Sequence, residues 1–386
     1  MMIKKMMSVI MIASICILAG TAAFAGTPEF GRTQDEWSRI RDNTLEYDEI
    51  DALIKEYNPT VISNAVDLRE FKRTYGTTND EVSQKYRELA EQLNEDVDLD
   101  PDDPMYAMNA MAAASNHSTA RQLEQQADNT LEDYEIKRME YEMQEKQLVQ
   151  KAKSDMIAYY SNQLEAQRAK LNVELLQTQL EIKKAQADSG EATQIDVLKA
   201  TEELLNAQKS HTTAQAAVET SKKKLQVACG WKYDETPVIA ALPAPDMAVI
   251  AAMSPEADRQ KALDNNYTLK INKRKLSNAH SEANKDTLNT TIAGNMQNIP
   301  LSVNTAYLMA VAAKEAYEYS VTANEVQKKS YEQMKIKHDT GNASDFDLKA
   351  QKITSQISEI AVQQAKNAAL EAIMNYESAV NGLAGA

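Results

Sequence analysis

One stretch of the sequence constrains the fold more than any other, because residues 118–187 contain neither glycine nor proline. As a helix this stretch would be roughly 100 Å long, at ~1.5 Å per residue. Its apolar residues recur at intervals of seven, the spacing of a coiled-coil seam. They are Tyr134, Tyr141, Leu148, Ile157, Leu164 and Leu171. Since a single helix of this length is not stable alone, we expect it to lie against others.

A second helix is predicted over residues 193–228, after a break at Gly190. Two series of residues spaced by seven form its seam, one of mostly large and one of small side chains. The series are Val197, Leu204, His211, Val218, Leu225 and Ala200, Ala207, Ala214, Ser221, Ala228. Large residues facing small ones let helices approach closely. We expect His211 to be a packing residue, since no second His or Cys stands at metal-ligand spacing from it.

The break recurs later in the chain, which reveals an internal repeat. Both breaks have the pattern G-x-A-[ST]-x-[IF]-D-[VL] between long helical stretches. The paired residues are Gly190 and Gly341, Thr193 and Ser344, and Asp196 and Asp347. Glycine suits the left-handed end of the incoming helix. The hydroxyl residue is a preferred N-cap, and the aspartate completes a capping box at the positive helix end. The pattern predicts two tandem αα-hairpins. Asn58 and Asn266 also match near the start of each half.

We divide the chain accordingly. The predicted parts are a signal peptide at 1–25, a lead-in at 26–47, a first helical-hairpin repeat at 48–230, a proline-containing linker at 231–255 and a second repeat at 256–386. The signal peptide is indicated by two early lysines, a short apolar core and Ala23-Phe24-Ala25. No later apolar run approaches the ~18 residues of a membrane-spanning helix. Residues 287–303 have a weak strand character.

Charge and motifs exclude several classes of function. The net charge of -15 argues against nucleic acid and anionic membrane surfaces as partners. The acidic stretch at 94–104 lacks the central Gly and terminal Glu of a calcium loop, so a solvated turn is expected. The mature chain keeps one cysteine, Cys229, expected to be buried. The four histidines are scattered and no catalytic motif is present. We therefore expect no enzyme activity, metal site or cofactor.

The order of these motifs, repeated twice behind a signal peptide, resembles the TolC family of outer-membrane efflux proteins. The resemblance implies a homotrimer whose helical hairpins form a hollow cylinder. It implies that the two Gly-centred turns lie at the far tip, where a periplasmic adaptor (membrane fusion) protein docks. The implied adaptor-contact residues are Gly190, Thr193, Gly341 and Ser344, and the implied helix-capping residues are Asp196 and Asp347.

The resemblance also implies a function, a passive efflux conduit in the cell envelope or outer membrane, served by an inner-membrane pump. The family's membrane strands need ~9–11 residues each, and neither 94–104 nor 287–303 offers such strands. The predicted fold class is therefore all-α, with long antiparallel coiled-coil hairpins in two tandem repeats: a TolC-like helical-barrel protomer without an evident β-barrel. Direct membrane insertion is not expected.

Two alternatives stay open from the sequence. One is an exported structural coiled-coil scaffold that has lost transport. The other is a secreted pore-forming protein, for which residues 306–313 would be the apolar segment, although this segment looks short for that role.

Overall fold

The computed structural model describes residues 31–95, 102 and 104–385. The predicted signal peptide and most of the acidic stretch at 94–104 lie outside these residues. Two short strands, β1 (Thr44–Leu45) and β2 (Val238–Ile239), pair in parallel. They join the lead-in to the linker. The Tyr160 hydroxyl oxygen lies 3.0 and 2.9 Å from the Ile239 and Ala240 carbonyl oxygens, which share its one proton, and this contact holds the linker.

Helices make up most of the described chain. In the first half they are α1 (Gln34–Ile40), α2 (Ile50–Tyr57), α3 (Pro59–Tyr75), α4 (Asn79–Glu95), α5 (Tyr106–Asn129), α6 (Tyr134–Asp188) and α7 (Gln194–Ala228). In the second half they are α8 (Met247–Ala252), α9 (Pro255–Asn265), α10 (Tyr267–Asn278), α11 (Glu282–Asp339) and α12 (Asp345–Ser378). A short π-helical turn, Ala379–Leu383, follows α12.

Two long antiparallel hairpins form the body of the molecule. α6 packs along α7, α11 packs along α12, and the hairpins join where α12 lies against α6. The seam predicted for α7 faces inward, since every one of its positions is buried or half-buried. Leu225 is fully buried in the core at the base of the first hairpin. The all-α, coiled-coil hairpin fold predicted from the sequence is confirmed.

The two asparagines of the repeat make the same joint twice. Asn58 caps α3, and its Nδ2 donates to the Ala228 carbonyl at the end of α7 at 2.8 Å. Asn266 caps α10, and its Nδ2 donates to the Ala384 carbonyl after α12 at 2.7 Å. Each joint fixes the start of a repeat to the end of its own hairpin. Beside the first joint lies Cys229, buried as expected, and burial raises its pKa to about 12.

The prediction of one unbroken helix over residues 118–187 is wrong. The chain breaks between α5 and α6, where Thr130 is extended and Asp133 caps α6 by accepting from the Ile136 N–H at 2.8 Å. The Asp133 side chain is fully buried, and Arg274 Nε and Asn278 Nδ2 of α10 donate to it at 2.6 and 2.8 Å. Contacts with a distant helix thus stabilise a break that no glycine or proline marks.

The weak strand character of residues 287–303 is also misleading, because the segment is helical within α11. Its β-branched threonines are accommodated by local hydrogen bonds, as when the Thr287 hydroxyl donates to the Ala283 carbonyl at 2.9 Å. Ile299 and Val303 are buried in a cluster with Ala262 of α9, so tertiary packing fixes the helix despite Pro300. In the linker, α8 packs through Ile250 onto the second hairpin.

Candidate functional site

The candidate site is the pair of exposed turns that close the hairpins. Gly190 and Gly341 have φ angles of +80° and +74°, in the left-handed region that favours glycine. A Cβ atom at either position would meet no other atom within 4 Å. The left-handed backbone conformation, and not a lack of space, therefore explains the glycine at both turns. The outer surface of each turn is accessible to a partner.

A capping box starts the outgoing helix at each turn. At the first, Thr193 Oγ1 accepts from the Asp196 N–H at 3.2 Å, and Asp196 Oδ2 accepts from the Thr193 N–H at 2.9 Å. At the second, Ser344 and Asp347 make the same pair of bonds at 3.2 and 3.0 Å. The backbone and then the hydroxyl of Thr193 lower the pKa of Asp196. The hydroxyl and then the backbone of Ser344 do the same to Asp347.

The lowered pKa values give the caps a defined pH dependence. Because the folded pKa of Asp196 lies below its unfolded value, the cap's contribution to stability is complete above the ordinary pKa and disappears as the pH falls through the lowered pKa.

Replacing Thr193 by alanine should raise the pKa of Asp196 toward its ordinary value and leave that of Asp347 unchanged. Carbon-detected NMR titration of the side-chain carboxyls measures both. Equal Asp196 midpoints in the variant and the parent would contradict the cap's role.

The two turns differ in what flanks them. Phe346 of the second turn is half-buried and lines a groove of about 560 Å³ on the first hairpin, with Ile182 and Lys199 among its walls. Its counterpart in the first turn, Ile195, is 64% exposed. His338 belongs to the second turn alone. Its Nε2 lies 2.7 Å from Asp345 Oδ1, and Asp345 and then Asp339 raise its pKa.

The hairpins meet through polar contacts between α6 and α12. Lys349 Nζ donates to Thr178 Oγ1 at 2.8 Å, and Asn367 Nδ2 donates to Ser161 Oγ at 3.1 Å. The outer faces are different. Among the four long helices that the structure describes, every exposed large apolar side chain belongs to α7 or α11. They are Ile195, Leu198, Leu205, Val227, Met296, Leu301, Leu308, Met309, Tyr319, Val326 and Ile336.

A heptad pattern orders the apolar side chains of α11. Eleven consecutive positions at three- and four-residue spacing are all exposed, and we name them the outer stripe of α11. They are Leu301, Thr305, Leu308, Ala312, Glu315, Tyr319, Thr322, Val326, Lys329, Gln333 and Ile336. Such a stripe is typical of a helix that packs against another helix. Sequence analysis missed it, although its spacing is present in the sequence.

No helix within residues 31–95 or 104–385 is both long enough and apolar enough to span a membrane. In the part of the chain that the structure describes, no three His, Cys, Asp or Glu side chains are grouped so that they could hold a metal ion.

Solved structures share this architecture. A membrane protein from Pseudomonas aeruginosa matches with a TM-score of 0.55 at 9% identity, over 87% of this chain and 90% of that one. The Campylobacter jejuni CmeC outer membrane channel also matches with a TM-score of 0.55 at 9% identity, over 96% and 94% of the two chains. The outer-membrane channel OprN matches at 0.51 and 15% identity, over 90% and 92%. The chain has the fold of an outer-membrane channel protomer.

This likeness confirms, at the level of fold, the resemblance to the TolC family that the repeated motifs predict. Scans of the sequence against family models and against curated proteins find no match. At such low identity the shared fold transfers no residue roles. The adaptor-contact residues Gly190, Thr193, Gly341 and Ser344 therefore stay predictions, although the structure gives both turns the same capped geometry.

Proposed function

We propose that the chain is the protomer of a TolC-like export conduit in the cell envelope. Copies of the chain close into a hollow helical tube that conducts cargo passively, without enzyme activity, while a partner pump supplies the energy. The channel fold supports this function. The observation that carries it is a contact between α7 and α11 that the internal repeat implies and that the described residues of one chain do not make.

The repeat gives each residue of the first hairpin a counterpart in the second. Gly190 and Gly341 are 151 positions apart, so the contact of Lys349 with Thr178 corresponds to one of Leu198 with Lys329. In the same way, the contact of Asn367 with Ser161 corresponds to one of Ala216 with Ala312. The four counterpart residues are Leu198, Ala216, Ala312 and Lys329, and all four are exposed.

The counterpart of the α6–α12 contact is thus a contact between α7 and α11. Within the described residues α7 and α11 do not pack along one another, and both carry exposed apolar side chains. We infer that α7 of one copy packs against α11 of the next. Since the two surfaces differ, the contact is head-to-tail, and it generates a closed ring when the rotation from one copy to the next closes. The resemblance to the TolC family implies three copies.

Disulfide trapping tests this contact. In the doubly substituted protein Ala216→Cys, Ala312→Cys, mild oxidation should link copies into a covalent ladder that ends at the closed ring. The geometry required is strict, because bridged Cα atoms lie ~4.4–6.8 Å apart. Gln215→Cys with Ala312→Cys is the matched control, since the neighbouring residue is also exposed but lies about 100° further round α7. Equal linking of both pairs, or of neither, would contradict the proposed contact.

The docking partners belong to the same proposal. We propose that both Gly-centred turns contact a periplasmic adaptor protein, which connects the conduit to an inner-membrane pump. The open surface of each turn and its two rigid caps support this role.

Glu191→Trp and Asn342→Trp place bulk on exposed turn positions without touching the core. They should abolish capture of an adaptor from an envelope extract while the circular dichroism spectrum is unchanged; undiminished capture would exclude docking at the turns.

A further inference from the structure

The first repeat carries an additional pair of helices that the second repeat lacks. α4 and α5 pack antiparallel between α3 and α6, whereas residues 279–281 alone connect α10 to α11. We call the α4–α5 pair the arm. Asn79 Nδ2 holds its base by donating to the Thr130 and Glu132 carbonyls, both at 3.0 Å. The base lies at the start of the 55-residue helix α6, roughly 80 Å from the first turn.

Two faces of α5 are occupied by contacts with α4. The inner face carries Ala113, Ala120 and Ala127, spaced by seven and at most 4% exposed. The charged residues of α5, which are Arg121, Glu124 and Asp128, follow a second face. This face is tied to α4 as well, since Asp128 pairs with Arg87 at 2.9 Å and His117 Nδ1 lies 2.6 Å from Asn94 Oδ1.

The third face of α5 lies opposite the alanine face and carries no charge, and near the base of the arm it borders Tyr86 of α4. Its residues are spaced alternately by three and four, and we name them the uncharged stripe. They are Met108, Met111, Ser115, Ser118, Gln122, Gln125 and Asn129. All seven are exposed, and Met108 and Met111 are 59% and 77% exposed. The stripe thus keeps one exposed, uncharged face over about three heptads, with two methionines at one end and small or amide side chains along the rest.

We propose that the uncharged stripe packs against the same stripe of the other copies, so that the arms form a parallel helical bundle at the end of the conduit opposite the turns. This inference rests on the proposed self-association. Rotational symmetry in a ring brings each residue of such a bundle opposite its own copies. Charged residues would then repel one another at a cost of several kcal/mol, and α5 keeps all its charges off this face.

The composition of the stripe suits contact between identical helices. The serines are small and allow close approach of the backbones. The side-chain amides of Gln122 and Gln125 each donate and accept hydrogen bonds, so each can pair with its own copy. Asn129 Nδ2 already donates to the Gln125 carbonyl at 2.9 Å. The exposed methionines adapt to one another and would bury the apolar end of the stripe. A basic or acidic partner would find no complementary charge on this face.

Cysteine substitution in the full signal-free protein tests the bundle. Ser118→Cys and Gln125→Cys lie on the uncharged stripe one heptad apart, and Glu124→Cys is the matched control on the charged face. The native Cys229 is only 1% exposed and adds no background linking. Under mild oxidation both stripe variants should form covalent dimers at least tenfold faster than the control, with the light-scattering mass of the assembly unchanged.

The outcomes separate this inference from the conduit proposal. An assembly of normal mass whose stripe variants link no faster than Glu124→Cys would overturn the bundle and leave the conduit standing. A protein that remains single chains, with no linking at any of the three positions, would overturn both. Faster linking of the stripe variants in an intact assembly supports the bundle, since α7 and α11 do not include these positions.

Discussion

Replacing Asp133 by alanine should lower the free energy of unfolding by about 3 kcal/mol, at the low end of the range for breaking a buried ion pair. The carboxylate is fully buried and accepts from Arg274 Nε, Asn278 Nδ2 and the Ile136 N–H. It therefore caps α6 and joins the first repeat to α10 of the second. Arg274 is 42% exposed, so water partly compensates it once its partner is removed. Urea unfolding at fixed protein concentration measures the loss.

Two comparisons isolate the buried joint. Asp188→Ala removes an exposed carboxylate at the other end of the same helix and should change stability by no more than about 0.5 kcal/mol. A double-mutant cycle with Arg274→Ala should give a coupling energy of about 1.5 kcal/mol or more. A loss below about 1 kcal/mol for Asp133→Ala would mean that the joint contributes little and that the break between α5 and α6 is stabilised otherwise.

The second large effect is expected at the outer stripe of α11. Val326 is 55% exposed in the single chain and would be covered by α7 of the next copy. Val326→Asp places a carboxylate in that contact, and burying the charge there costs several kcal/mol per interface. We expect association to weaken at least 100-fold (~2.7 kcal/mol), while thermal unfolding of the single chain is almost unchanged because the residue lies outside the core.

Lys335→Asp is the control for this variant. This substitution changes the net charge of α11 by more than Val326→Asp does, but at an exposed position outside the outer stripe. It should leave the assembly intact. Light scattering coupled to size exclusion, over a dilution series of both variants, measures the difference. If the two variants dissociate equally, net charge and not the stripe governs association. If neither dissociates, the outer stripe is not the interface.

The sequence predicts the parts of this fold that local chemistry determines. Glycine, the hydroxyl residue and aspartate recur in the same order at both turns, because a left-handed cap and a capping box require those residue types there. The seam of α7 is also predictable, because its heptad pattern is local and corresponds to a single partner helix. From these features the sequence gives the two hairpins, their tandem order and the capped turns of the candidate site.

The sequence does not predict what depends on distant contacts. The break before α6 is held by Arg274, 141 positions away from Asp133, and no local signal marks it. The threonine-rich start of α11 resembles a strand until its packing on α9 is known. The groove that Phe346 lines was missed. The outer stripe of α11 was missed as well, because a helix with two heptad seams does not show which seam packs within its own chain and which stays exposed.

The mass of the signal-free protein in solution, measured by light scattering coupled to size exclusion, tests the central claim most directly. The exposed faces of α7 and α11 predict self-association, the proposed conduit is a closed ring, and the resemblance to the TolC family implies three chains. A mass of one chain at high protein concentration would contradict the conduit and favour an exported scaffold that kept the hairpins without the tube.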